Sequence, residues 1–200
     1  VAGLTELLGR PSVEVAPLLL GAVLRHDHPD GPVAVRLTEV EAYAGTQDPG
    51  SHGFRGRTER NATMFGPPAH LYVYFVYGMH HCANVVTGPE GECGAVLVRA
   101  GEVVEGLELA RTRRPPARRD AELAKGPASL CRALGIGPGH DGADLVAGPV
   151  TLTPADRPAA QVSTGPRVGL RHAADRPWRF WVTGDPTVSR YVPAKPRPAR

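Results

Sequence analysis

Glu39 and Glu41 are the two residues in this chain best placed to do acid–base chemistry. They close a segment, residues 33–43, in which Val33, Val35 and Leu37 alternate with Ala34, Arg36 and Thr38 in the period-two pattern of a strand. Both acids share parity with Val35, Leu37 and Tyr43, the face that the first half of the strand marks as apolar. A carboxylate on such a face needs a partner or a purpose. Two readings stand side by side: a general base in a pocket walled by Tyr43, or a structural acid that pairs with an arginine such as Arg99 or is turned out to solvent by a bulge.

A second cluster is aromatic. In Tyr72-Val73-Tyr74-Phe75-Val76-Tyr77-Gly78-Met79, Tyr72 and Tyr74 face one way, and Phe75 and Tyr77 the other. A hairpin tip carrying Tyr77 and Met79 would present large side chains beyond the scaffold, as a wedge entering a base stack must. Ordinary packing of Tyr77 back onto the sheet is the competing use. His52, after Asp48-Pro49-Gly50-Ser51, is either a turn residue or the wall of a pocket.

Other chemistries find little support. His80 and His81 are adjacent on a strand and point to opposite faces, and no second ligand pair has metal-site spacing, so no metal is expected. No serine sits in a nucleophile elbow, and neither a P-loop nor a dinucleotide fingerprint is present. Cys82, Cys93 and Cys131 are too few for a disulfide framework and fit a reducing compartment.

These residues need a scaffold of short elements. With 24 glycines and 21 prolines in 200 residues, turns should be many and long helices few. A short helix is expected over residues 12–24, then a break at Gly31-Pro32 and the strand ending at Tyr43. Residues 44–70 form a long loop, residues 71–77 and 81–86 a hairpin, and residues 94–99 a further strand. Residues 103–111 have helical character. Gly126-Pro127 opens a helix that Gly135 stops. Short strands are expected near 150–153, 168–170 and 179–182, and a disordered basic tail from Pro193. The sum is a single α+β domain over residues 1–192, with an antiparallel sheet and helices packed around it.

The net charge of +3 is unevenly spread. Nine basic residues lie between Arg157 and Arg200, against Asp175 and Asp185 alone, and five arginines crowd residues 111–119. Such stripes suit a polyanion, or form a solvated surface. The longest apolar run is too short and too interrupted to span a bilayer. The first residues lack the basic-then-apolar pattern of a signal peptide.

Taken in order, Glu39-Val40-Glu41-Ala42-Tyr43, His52, Arg60-Asn61-Ala62-Thr63-Met64-Phe65, the tyrosine-rich segment ending at Met79, Asn84 and Val98-Arg99-Ala100 resemble the alkyladenine (3-methyladenine) DNA glycosylase family. Gly126-Pro127-Ala128-Ser129-Leu130-Cys131 and Pro166-Arg167-Val168-Gly169-Leu170 extend the resemblance, which runs over nearly the whole chain.

The resemblance implies a curved antiparallel β-sheet with surrounding helices and a protruding β-hairpin. It also implies a monofunctional glycosylase without cofactor, metal or lyase lysine. On this chain Glu41 would be the general base for a water attacking C1′, held by Arg99 and the backbone carbonyl of Val168. Tyr43 and His52 would stack on one face of a flipped base and Tyr74 on the other. Asn84 would exclude the guanine amino group. Tyr77 would fill the gap in the duplex, with Met79 nearby. The implied partner is double-stranded DNA containing damaged purines, met by a cytoplasmic, nucleoid-associated monomer that binds no membrane. The basic C-terminal third and residues 111–119 would contact phosphates. His80-His81 follow Tyr77-Gly78-Met79 where the resemblance implies aromatics, and two titratable groups at the tip would make DNA binding pH-dependent. A module that binds damaged nucleic acid without cleaving it shares the charge and the aromatics, but has no use for a buried acid beside Arg99.

Overall fold

The computed structural model describes residues 2–76 and 78–194. Two short helices, α1 (Ala2–Leu8) and α2 (Ser12–Val15), lead into strands β1 (Val23–His28) and β2 (Gly31–Tyr43). Strands β3 (Leu71–Val76), β4 (His80–Val86) and β5 (Ala95–Glu105) follow, then α3 (Leu107–Arg113), β6 (Ala124–Lys125) and α4 (Pro127–Leu134). Three short strands finish the described chain: β7 (Val150–Thr153), β8 (Val162–Gly165) and β9 (Arg179–Val182). All pair antiparallel in one curved sheet, in the order β3-β4-β5-β2-β1-β7, with β6 added to β5, and β9 joining β2 to β8.

Strand β2 is the spine. It pairs with β1 over its first half, with β5 from Ala34 to Tyr43, and with β9 from Glu39 to Glu41. Its register against β5 slips between Ala34 and Val35, and again on each side of Glu39. Bulges of this kind bend a strand and re-aim side chains, and they concentrate beside functional sites. From Leu37 to Ala42 every residue is buried, so the strand end is covered on both faces. Helix α4 packs on β2, β4 and β5, contributing Leu130, Ala133 and Leu134 to the main core.

The sequence reading misplaced three elements. Residues 12–24 hold only α2 and a 3-10 turn (Ala16–Leu19) before the chain enters β1. Strand β1 was hidden because one of its two buried positions is filled by His26 beside Leu24, which masks the apolar alternation. Residues 103–111 are split: β5 continues to Glu105, Gly106 takes φ 72°, and α3 starts one residue later. Residues 168–170 are not a strand. Their backbone is used elsewhere, the Val168 N–H on the Glu41 carboxylate and the Gly169 N–H on the Val192 carbonyl. The expected long loop carries two 3-10 segments, Gly45–Gln47 and Glu59–Phe65. Tyr77, and the tail from Lys195, lie outside the described residues.

Candidate active site

Three side chains of one strand face converge with one of a neighbouring strand. Glu39, Glu41 and Tyr43 come from the end of β2, and Arg99 from β5. Glu39 and Glu41 are fully buried, and Arg99 lies between them, its Nε 2.7 Å from Glu39 Oε1 and its Nη1 3.2 Å from Glu41 Oε1. Both acids therefore pair with Arg99, and neither is turned out to solvent.

Glu39 is saturated. Its Oε1 accepts from Arg99 Nε, Arg179 Nε and the Ser189 hydroxyl, and its Oε2 from the Ser189 backbone N–H. Burial pushes the Glu39 carboxyl up, but Arg99, the Ser189 N–H and Arg179 together outweigh it and hold the acid below its ordinary range.

Glu41 is held differently. The Val168 backbone N–H donates to Oε1 at 2.7 Å, and the Tyr43 hydroxyl to Oε2 at 2.8 Å. Burial, and then the Glu41 charge, push the Tyr43 phenol well above its usual value, so it remains a proton donor. Burial alone would lower Arg99, but Glu41 and Glu39 raise it, and the guanidinium stays cationic.

Above this cluster lies a cavity of about 420 Å³. Tyr43, His52, Tyr74, Asn84, Arg99 and Val168 all line it, together with Tyr72 and Cys82. Glu41 lies behind this wall, reached through the groups that hold it. Tyr72 and Tyr74, two apart on β3, stack at 5.6 Å between centroids. Asn84 fixes its amide by donating to the Tyr72 carbonyl at 3.1 Å. His52 meets Tyr74 edge to face at 4.5 Å and its Nδ1 lies 3.3 Å from the Tyr72 hydroxyl. Burial, with Arg60 nearby, lowers the His52 imidazole, so it is neutral at pH 7. The His52–Tyr74 contact leaves no space between the two rings, so a base sandwiched by that pair requires them to part.

Met79 does not line the cavity. It stands 70% exposed at the turn between β3 and β4, beside a separate groove bounded by α3 and α4. His80 lines both the cavity and that groove. His81 packs against Phe75.

The family model described as methylpurine-DNA glycosylase (MPG) matches residues 6–186. The chain belongs to the methylpurine-DNA glycosylase family. Relatives agree along nearly their full length. A protein of Streptomyces avermitilis named "Putative 3-methyladenine DNA glycosylase" is 57% identical over 202 residues, covering 98% of this chain and 94% of its own. One of the same name from Leifsonia xyli is 57% identical, covering 90% and 88%. Another, from Burkholderia cenocepacia, is 51% identical, covering 92% and 89%.

The glycosylase fold also uses residues that the sequence reading assigned elsewhere. Arg167 and Arg179 belong to the basic stripe expected to meet phosphates, yet both are buried, one against Asp48 and the other against Glu39. Within residues 111–119, Arg111 pairs with Asp120 and Glu108, Arg119 with Glu122, and Arg114 donates to the Leu123 carbonyl. The visible signal for Arg167 was its position inside an apolar motif, Val168-Gly169-Leu170, unlike a solvated run. Among the described residues no group of three or more His, Cys, Asp or Glu side chains is arranged to hold a metal ion. No described helix is long and apolar enough to cross a membrane.

Proposed function

We propose that this glycosylase excises alkylated or deaminated purines, of the 3-methyladenine, hypoxanthine and etheno-adenine class, from double-stranded DNA in base excision repair. The observation that carries this is Glu41. It is a buried carboxylate beneath an aromatic-lined cavity of about 420 Å³, held by a guanidinium, a backbone N–H and a phenol.

A base inside a duplex is out of reach, so it must be extruded, at a cost of about a few kcal/mol. Tyr77 offsets that cost by restoring stacking, worth about 1–3 kcal/mol per base. Tyr43, Tyr74 and His52 then surround the extruded base, and Asn84 sits against its edge. Electron-rich rings favour a cationic, alkylated purine. Phosphate contacts fall to the exposed part of the basic surface.

A carboxylate offers about four acceptor sites. In Glu41, Oε1 takes the Val168 N–H and faces Arg99, and Oε2 takes the Tyr43 hydroxyl. The remaining site is on Oε2, and it receives the proton of the attacking water. As the water oxygen bonds to C1′, the glycosidic bond breaks with its electron pair leaving on the base. Arg99 and the Val168 carbonyl orient that water. An alkylated base departs readily because it already carries positive charge. A neutral base such as hypoxanthine takes a proton from solvent as it leaves.

Glu41→Gln in a single-turnover assay tests this, on duplexes carrying hypoxanthine or etheno-adenine and on methylated DNA. Wild type should release free base and leave an intact abasic strand. The variant should bind the lesion and lose excision by orders of magnitude. Excision by Glu41→Gln at the wild-type rate would assign the base to another residue, and tight binding without release by wild type would make the protein a damage-binding module.

A further inference from the structure

Behind the cavity lies a second buried ion pair that the reaction above does not use. Arg167 and Asp48 are both fully buried. The Arg167 guanidinium grips both Asp48 oxygens, Nη2 at 2.7 Å from Oδ1, and its Nη1 also donates to the Ala42 carbonyl at 2.9 Å. It lies against the Tyr43 ring, 4.6 Å from the centroid, with Trp178 at 5.2 Å. Asp48 in turn accepts from the backbone N–H groups of Ala44 and Gly50. Burial pushes Asp48 up, and Arg167 with those N–H groups more than reverses it.

Each contact touches a different wall of the site. Residues 44–50 shape the loop that ends at His52. Ala42 lies between Glu41 and Tyr43. Arg167 immediately precedes Val168, whose N–H reaches Glu41. The fit at the junction is close: a Cβ on Gly50 would stand 2.7 Å from Leu170 Cδ1 and 2.8 Å from Arg167 Nη2.

A buried ion pair is a poor source of net stability, because apolar residues of similar volume often do as well or better. What it supplies is geometry: a planar fork with fixed donor directions. We propose that Asp48 and Arg167 are positioning residues, whose ion pair locks the Val168 N–H and the Tyr43 hydroxyl onto the Glu41 carboxylate. This rests on Glu41 being the base.

The test is the apolar double variant Asp48→Leu/Arg167→Met, with Arg167→Lys and Glu41→Gln alongside, on a hypoxanthine duplex with enzyme in excess. The double variant should fold and melt below wild type, because the Ala42 carbonyl and the Ala44 and Gly50 N–H groups lose their partners. Its single-turnover rate should fall about tenfold or more, the scale of a lost hydrogen bond to a charged group. Lesion affinity should stay near wild type, so that the loss falls on the chemical step and not on binding. Arg167→Lys keeps the charge and loses the fork, so it should show a smaller change of the same kind, and it serves if the double variant does not fold. A folded variant with wild-type rate overturns the proposal, as does a slower one whose lesion affinity falls in proportion. If Glu41→Gln excises normally, the failure lies in the choice of base. If Glu41→Gln is inactive and the double variant is normal, only the positioning role fails.

Discussion

Replacing Glu39 by glutamine removes one charge and leaves two guanidinium groups without it. Glu39 Oε1 accepts from Arg99 Nε and Arg179 Nε, each at 2.7 Å, and all three side chains are buried. The amide cannot accept everywhere. With its oxygen toward the arginines, its NH2 group confronts the Ser189 N–H that now donates to Oε2 at 2.7 Å. Breaking one side of a buried pair costs about 3–5 kcal/mol. In a chain of this size each kcal/mol moves the melting temperature by about 2–4 °C. Glu39→Gln should therefore melt about 6–20 °C below wild type at neutral pH.

The acid dependence fixes the cause. Glu39 in the folded protein lies below its ordinary carboxylate value, so the unfolded chain takes up its proton first. The stabilisation is complete above the unfolded value of about 4.3 and is lost as pH falls through the lower folded value. The gap between variant and wild type should close as pH is taken below about 4. Calorimetry across that range is the assay. A variant melting within about 3 °C of wild type at neutral pH, or a gap that does not vary with pH, would refute the reasoning.

Two further outcomes are expected. Tyr43→Phe keeps the ring over Arg167 and loses the hydroxyl that donates to Glu41 at 2.8 Å, so single-turnover excision should slow by about 10- to 150-fold with lesion affinity little changed; an unchanged rate would show that this hydrogen bond does nothing for the reaction. His26 is pushed below its ordinary value by burial, with the Leu134 carbonyl opposing and His140, His28 and Arg113 adding to the fall, so the unfolded chain binds its proton more readily. Stability should then be whole above about pH 6.5 and decline below it, read as melting temperature, and a profile unaltered in His26→Phe would mean that other groups set the acid limit.

The site was legible in the sequence to the degree that its residues carry it in type and spacing. Glu39, Glu41 and Tyr43 alternate on a strand, and Tyr72 and Tyr74 do the same, so parity alone put each set on one face. The hairpin of β3 and β4 and the helix between Gly126 and Gly135 were likewise marked by local punctuation. Strand β1 was not, because a buried histidine satisfied by the Leu134 carbonyl at 2.8 Å reads as polar in the chain and behaves as core in the fold.

What the sequence determined by itself was local: which side chains are acids and aromatics, which share a strand face, and where turns must fall. Tertiary structure alone decided that one of two neighbouring glutamates takes four hydrogen bonds and the other two. That difference comes from Ser189 and Arg179 on one side and Val168 on the other, more than a hundred residues away in the chain. It also decided that Arg167 and Arg179 are buried partners of acids rather than surface charges. A charge in a sequence carries no sign of its solvation. Whether an arginine meets water, phosphate or carboxylate depends on what the fold brings against it, and burial leaves it only the acceptors of the protein itself, here carboxylates and backbone carbonyls.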